Sequence, residues 1–249
     1  MKSKFNSNCL PLMALALGGT AALLRLGLYT FGVDEKGLLN NGHILSLLVW
    51  AVTAISAVFF CLGAWKLGGS EHYEDNFGPS VPASLGCLAL AAGIAVTVLT
   101  GWETWLRLEL IRNILGLLCI PALLLTALHR MKGKQPFFLL PAVSCLYLTL
   151  HTISHYQAWC SRPQIQDFFF PMAGSILLTL FGYYQTAFTV GFGKRRMLLG
   201  TGLLGVFVCI AAAAGGEDLW LYLGGAVWML TNLCHLTPVP KKDDDHAAA

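Results

Sequence analysis

Eight apolar stretches follow one another along this chain, at about 10–31, 43–67, 81–101, 113–130, 136–159, 168–190, 197–215 and 219–236. Each is near the ~20 residues that an α-helix needs to cross the ~30 Å hydrocarbon core of a bilayer. In lipid every backbone N–H and C=O must be satisfied internally, so an isolated run of this length folds as a helix. Composition argues against a water-soluble fold. Of the 249 residues, 56% are hydrophobic and 12% are charged, whereas soluble domains carry about 25% charged residues. A fold of this size has too much surface to hide so much apolar chain. The expected class is all-α: a polytopic membrane helix bundle of about eight transmembrane helices. It forms a single transmembrane domain over 1–238, followed by a disordered cytoplasmic tail over 239–249.

The loops carry a charge bias. With eight spans, Lys2, Lys4, Lys66, Arg130, Lys132, Lys134, Lys194, Arg195, Arg196, Lys241 and Lys242 share one side. The other side has Lys36, Arg107, Arg112 and Arg162, offset by Asp34, Glu35, Glu103, Glu109, Asp167, Glu217 and Asp218. The excess of Lys and Arg marks the cytoplasmic face and places both termini there, with the protein in a bacterial plasma membrane. Trp102, Trp105, Trp159 and Trp220 then form an outer aromatic belt. The net charge of +3 is scattered in short clusters, which excludes the basic stripe of a nucleic-acid binder. The expected partners are membrane lipid, a small-molecule or lipid ligand, and a second copy or a partner subunit. Two local signals complete the pass: Asp167 is placed to cap the sixth span, and Pro121 to kink the fourth.

The fifth stretch, PFFLLPAVSCLYLTLHTISHYQAW, has a polar face. Tyr147, His151 and His155 recur at i, i+4, so they stack on one side of a helix. The two imidazoles have the spacing of a zinc or haem pair, but zinc needs at least a third ligand. His43 is the candidate third metal ligand beside His151 and His155, with Asp34 and Asp167 as carboxylate alternatives. The Glu of an HExxH metalloprotease is absent, because residue 152 is Thr. Arg25 lies inside the first span, where a charge needs a partner or a cavity. By helix rise it reaches the same outer layer as the histidines. The candidate ligand-binding set is therefore Arg25, Asp34, His43, Tyr147, His151, His155 and Asp167. No cofactor is expected from a recognised motif; zinc or haem enters only through the His pair. The eight cysteines form no CxxC, and all but Cys160, which lies in a polar loop, read as small buried hydrophobes.

The stretches RLGLYTFGVDEKGLLNNGH and YYQTAFTVGFGKRR resemble uncharacterised multi-span membrane proteins of anaerobic Gram-positive bacteria, a resemblance that brings no assigned function. The HxxxH pattern is also similar to that of seven-span hydrolases related to alkaline ceramidases. Their accompanying Ser, Asp and His motifs are missing in order here, so that activity is not carried over. The sequence favours binding or transport of a small molecule or lipid through a polar pocket in the outer half of the bundle. It leaves open a metal- or haem-dependent enzyme or redox subunit using His151 and His155, and an accessory subunit of a membrane complex.

Overall fold

A computed structural model describes residues 9–33, 39, 42–67, 70–101, 107–160 and 165–237. The polar tail expected to be disordered lies outside these residues, as do Trp102 and Trp105. The helices are α1 (Cys9–Phe31), α2 (Ile44–Lys66), the one-turn α3 (Tyr73–Asn76), α4 (Val81–Thr100), α5 (Arg107–Met131), α6 (Leu139–Trp159), α7 (Phe169–Thr189), α8 (Arg195–Ala213) and α9 (Leu219–Cys234), with a 3₁₀ turn at Ile165–Phe168. Among the described residues there is no strand, only an isolated bridge between Val33 and Leu39. The eight long helices coincide with the eight apolar stretches.

Five of them, α1, α2, α4, α5 and α8, are long and apolar enough to cross a membrane. α6 and α7 reach 21 residues but fall below the hydropathy of those five. α9 is shorter, at 16 residues. Leucines and other large apolar side chains stand exposed on nearly every helix, among them Leu23, Ile55, Leu99, Leu118 and Met197. Such a surface suits hydrocarbon and not water.

Local chemistry sets several boundaries. Ser80 accepts a hydrogen bond from the Ala83 N–H, and Pro82 sits in the first turn of α4, where no intrahelical donor is needed. His43 begins α2 in the same way, its Nδ1 accepting from the Leu45 N–H at 3.3 Å. Asp167 does not cap α7: Phe168 occupies the cap position, and no side chain caps the helix there. The carboxylate sits instead in the 3₁₀ turn, beside Arg25. The fourth apolar stretch is longer as a helix than as an apolar run: α5 starts at Arg107 and keeps Pro121 in its interior.

Consecutive long helices alternate in direction. α4, α5, α6, α7, α8 and α9 form a closed ring, each packed on the next and α9 returning to α4. α1 and α2 lie outside it, packed against each other and α8. The closest approach is between α4 and α9. A Cβ added to Gly93 would lie 2.4 Å from the Trp220 carbonyl oxygen, and one added to Gly224 would lie 2.5 Å from that of Ala89. Two helix backbones touch there because neither residue has a side chain, which is how membrane helices gain close packing. At one end of the bundle, the segment around α3 is tied to three helices. Arg195 donates to Asn76 Oδ1 at 2.8 Å, Arg130 donates to the Gly78 carbonyl at 2.7 Å, and Thr237, just past α9, donates its N–H to the Asn76 carbonyl.

Candidate metal centre

At the opposite end, α6 finishes, α9 begins, and the turn between α8 and α9 closes the ring. A helix puts His151 and His155 one turn apart, and their rings lie 4.2 Å centroid to centroid. His151 is completely buried, and neither of its ring nitrogens has a hydrogen-bond partner. Both histidines point at Asp218. Its Oδ2 lies 3.5 Å from His151 Nε2 and 3.2 Å from His155 Nε2. The three ligand atoms all fall within 4.8 Å of one another.

Asp218 is held there at a conformational cost. It is the only non-glycine residue with positive φ among the described residues, at φ 48°. An L-residue in this region costs about 1–2 kcal/mol. An Asp at a helix start normally accepts a hydrogen bond from the first-turn N–H groups, yet Asp218 makes no such bond. Its carboxylate turns to the imidazoles instead. Burial pushes its carboxyl up to about 6, with the Arg112 charge pulling the other way. A desolvated carboxylate facing two imidazole nitrogens is an arrangement that a divalent cation relieves.

Distances support this reading. Zinc bonds of 2.0–2.1 Å in a tetrahedron put neighbouring ligand atoms ~3.4 Å apart. The two His–Asp separations bracket that value. Two histidines and one carboxylate leave a fourth position open, as catalytic zinc sites do and structural ones do not. The two histidines share one helix face, so they are not placed to serve together as the two axial ligands of one haem.

Further groups surround the three. Trp159 donates its indole N–H to Glu217 Oε2 at 3.1 Å and stacks on Phe168. It is buried, so it buttresses this end and does not belong to a lipid-facing belt, whereas Trp220 is exposed as a belt residue would be. Arg112, buried on α5, donates to Ser154 Oγ at 2.9 Å and to Asn113 Oδ1. Ser154 stands between the two histidines on α6. Tyr147 is buried one turn below His151, with its hydroxyl unpartnered. Gly116 makes room for that ring, since a Cβ there would lie 2.9 Å from Tyr147 Cε2.

The sequence-based candidates divide into two groups. Tyr147, His151 and His155 meet Asp218, which the sequence shows only as one of the acidic loop charges. Arg25 and Asp167 meet each other at the same end, but across the α8–α9 turn. His43 stands with neither histidine and caps α2. Asp34 lies outside the described residues. Arg25 is buried between α1 and α8, donating to the Ala211 carbonyl, the Tyr29 hydroxyl and the Asp167 backbone carbonyl. Its guanidinium lies over the Phe170 ring at 4.6 Å. The adjoining cavity measures about 30 Å³, room for a water or two. Arg25 thus ties α1 to α8 and to the segment before α7. Arg25→Ala is expected to lower stability by about 3 kcal/mol, because it orphans buried acceptors and a carboxylate's electrostatic partner. Unfolding in detergent micelles measures this, and metal content should be unchanged.

No family model, curated protein or solved structure matches the chain. Its class rests on its own fold: a bundle of apolar helices with the makeup of a multi-pass membrane protein. Within that bundle, buried His151 meets the half-buried His155 and Asp218 in one cluster.

Proposed function

We propose that this protein is a multi-pass plasma-membrane protein with cytoplasmic termini, whose working site is a divalent-metal centre of the zinc class near the outer membrane surface. The observation that carries this reading is the approach of one carboxylate oxygen to two imidazole nitrogens, at 3.5 and 3.2 Å, where His151 is fully buried and the other two residues are half-buried. His151, His155 and Asp218 supply the ligands. Arg112, Ser154 and Trp159 hold the surrounding helices, as outer groups around metal sites do. The charge bias of the loops supports the orientation.

The small-molecule pocket suggested by sequence has less support. Arg25 and the histidines do not line one cavity, and Arg25's donors are already engaged. A resident metal makes the His pair and Asp218 one unit and accounts for the Nε2 of His151, which has no hydrogen-bond partner.

Elemental analysis of the purified protein tests the reading. About one equivalent of a zinc-class ion is expected to survive desalting. It should be lost from His151→Ala and removed by a chelator, with a lower unfolding temperature in the metal-free form. Absence of stoichiometric metal, and no thermal shift on adding zinc, would sink the proposal.

A further inference from the structure

We infer that the start of α8, at the end of the bundle opposite the metal centre, binds the phosphate of an anionic phospholipid. The site is independent of the metal reading. It draws on the proposed orientation only in assigning the lipid to the cytoplasmic leaflet.

α8 begins against the usual charge rule. The partial positive charge of a helix N-terminus favours acidic side chains in the first turn. α8 has none there and opens on Lys194, Arg195 and Arg196. Lys194 holds the cap position and makes no side-chain hydrogen bond to the helix. The donors that a helix start leaves unsatisfied therefore have no capping side chain. Three cations beside a positive dipole end repel one another, and an anion at that point relieves the repulsion.

A second observation points to the same anion. Arg195 is more than nine-tenths buried, at 8% exposure. Its Nη1 donates to Asn76 Oδ1 and its Nη2 to the Thr237 carbonyl. Both acceptors are neutral, and its Nε has no hydrogen-bond partner. Arg130, fully buried at the same end, repeats the pattern. Its Nη1 donates to the Gly78 carbonyl, while Nε and Nη2 have no hydrogen-bond partner. The Phe77 ring, 4.8 Å away, offsets part of that charge. The ion pairs among the described residues involve only histidines and Asp218, so neither arginine has a carboxylate partner there. An uncompensated buried cation is costly. A phosphate accepts from a guanidinium and from helix N–H groups at once.

The surroundings favour a lipid as the source of the phosphate. Phe192 and Met197 flank the site and are exposed, as are Lys194 and Arg196. Apolar side chains beside a cluster of cations suit a molecule with both a hydrocarbon chain and an anionic head. The cytoplasmic leaflet carries such lipids.

The full chain in neutral detergent micelles tests this. It is equilibrated with equal amounts of dioleoylphosphatidylglycerol and dioleoylphosphatidylcholine, and the lipid it retains after washing is counted by mass spectrometry. The parent is expected to hold the anionic lipid in at least ~10-fold preference. The preference should persist after equilibration in about 1 M salt, where exposed charges are screened beyond ~3 Å. Arg195→Gln should lose it at low and high salt alike. Lys194→Gln with Arg196→Gln, which changes only exposed charges, should weaken it at low salt and keep it at high salt. Arg195→Lys, which keeps the charge and not the planar fork, should retain part of it and serves if the Gln variant folds poorly. Equal retention of the two lipids by the parent, or a preference that vanishes in salt, overturns the site. So does an Arg195→Gln protein with the parent's preference. Excess inorganic phosphate that replaces the lipid overturns the lipid assignment and makes the ligand a soluble anion.

Discussion

Asp218→Asn is expected to abolish tight metal binding while leaving the helical bundle intact. Asn matches Asp in size and tolerates the left-handed backbone at this position as well as any non-glycine residue does. The substitution therefore keeps the turn and removes only the negative charge and one strong oxygen ligand. Affinity for zinc should fall by at least ~100-fold, which corresponds to about 2.7 kcal/mol. Titration with a competing chromophoric chelator measures it. The metal-free variant should be at least as stable as the metal-free parent at neutral pH. The sign follows from burial. The folded-state carboxyl is raised from 3.8 to about 6, so the fold holds its proton more tightly than the unfolded chain does. The parent's metal-free stability then declines as pH rises through that window and levels off above it. The variant lacks that decline. Loss of metal together with collapse of the helical signal would show instead that Asp218 is a structural residue.

Gly93→Ala and Gly224→Ala should be the most destabilising small substitutions in the protein. In either variant a new methyl group meets a backbone carbonyl of the facing helix, at 2.4 or 2.5 Å, and a backbone cannot rotate away as a side chain can. The helices must separate, at a cost of about 3 kcal/mol. Gly19→Ala is the control. Nothing lies within 4 Å of its added Cβ, so the change should be neutral or slightly stabilising in a helix. Thermal unfolding in micelles distinguishes the three. A second readout links packing to function. Asp218 sits at the start of α9, so displacing α9 from α4 moves the carboxylate relative to the α6 histidines. Metal affinity should weaken in both interface variants and stay unchanged in Gly19→Ala. Equal stability of all three would mean that α4 and α9 do not pack on their backbones.

Part of the site was legible without a fold. An i, i+4 pair in a helix shares a face whatever the surroundings, so the His151–His155 pair needed no tertiary information. A charge at Arg25 inside an apolar run demanded partners, and those it has are the kind expected of a tie. The third ligand was hidden for a physical reason. Asp218 stands in a short acidic turn after a glycine pair, the usual composition of a solvated loop. Only its left-handed backbone and its missing cap bond reveal another role, and neither can be read from residue types. His43 is a third imidazole in the sequence, yet residue type says nothing about position in the bundle, and α2 packs on α1 and α8.

The sequence by itself determined the helices and their class. Apolar runs of near-membrane length have one solution for their backbone hydrogen bonds, and glycine, proline, serine and charged residues mark where each run stops. The tertiary structure decided who faces whom. Six helices close a ring that brings the start of α9 opposite α6, while α1 packs outside on α8 and keeps Arg25 away from the histidines. That choice depends on contacts between distant segments, above all the glycine approach of α4 and α9, and no local pattern in a single helix contains it.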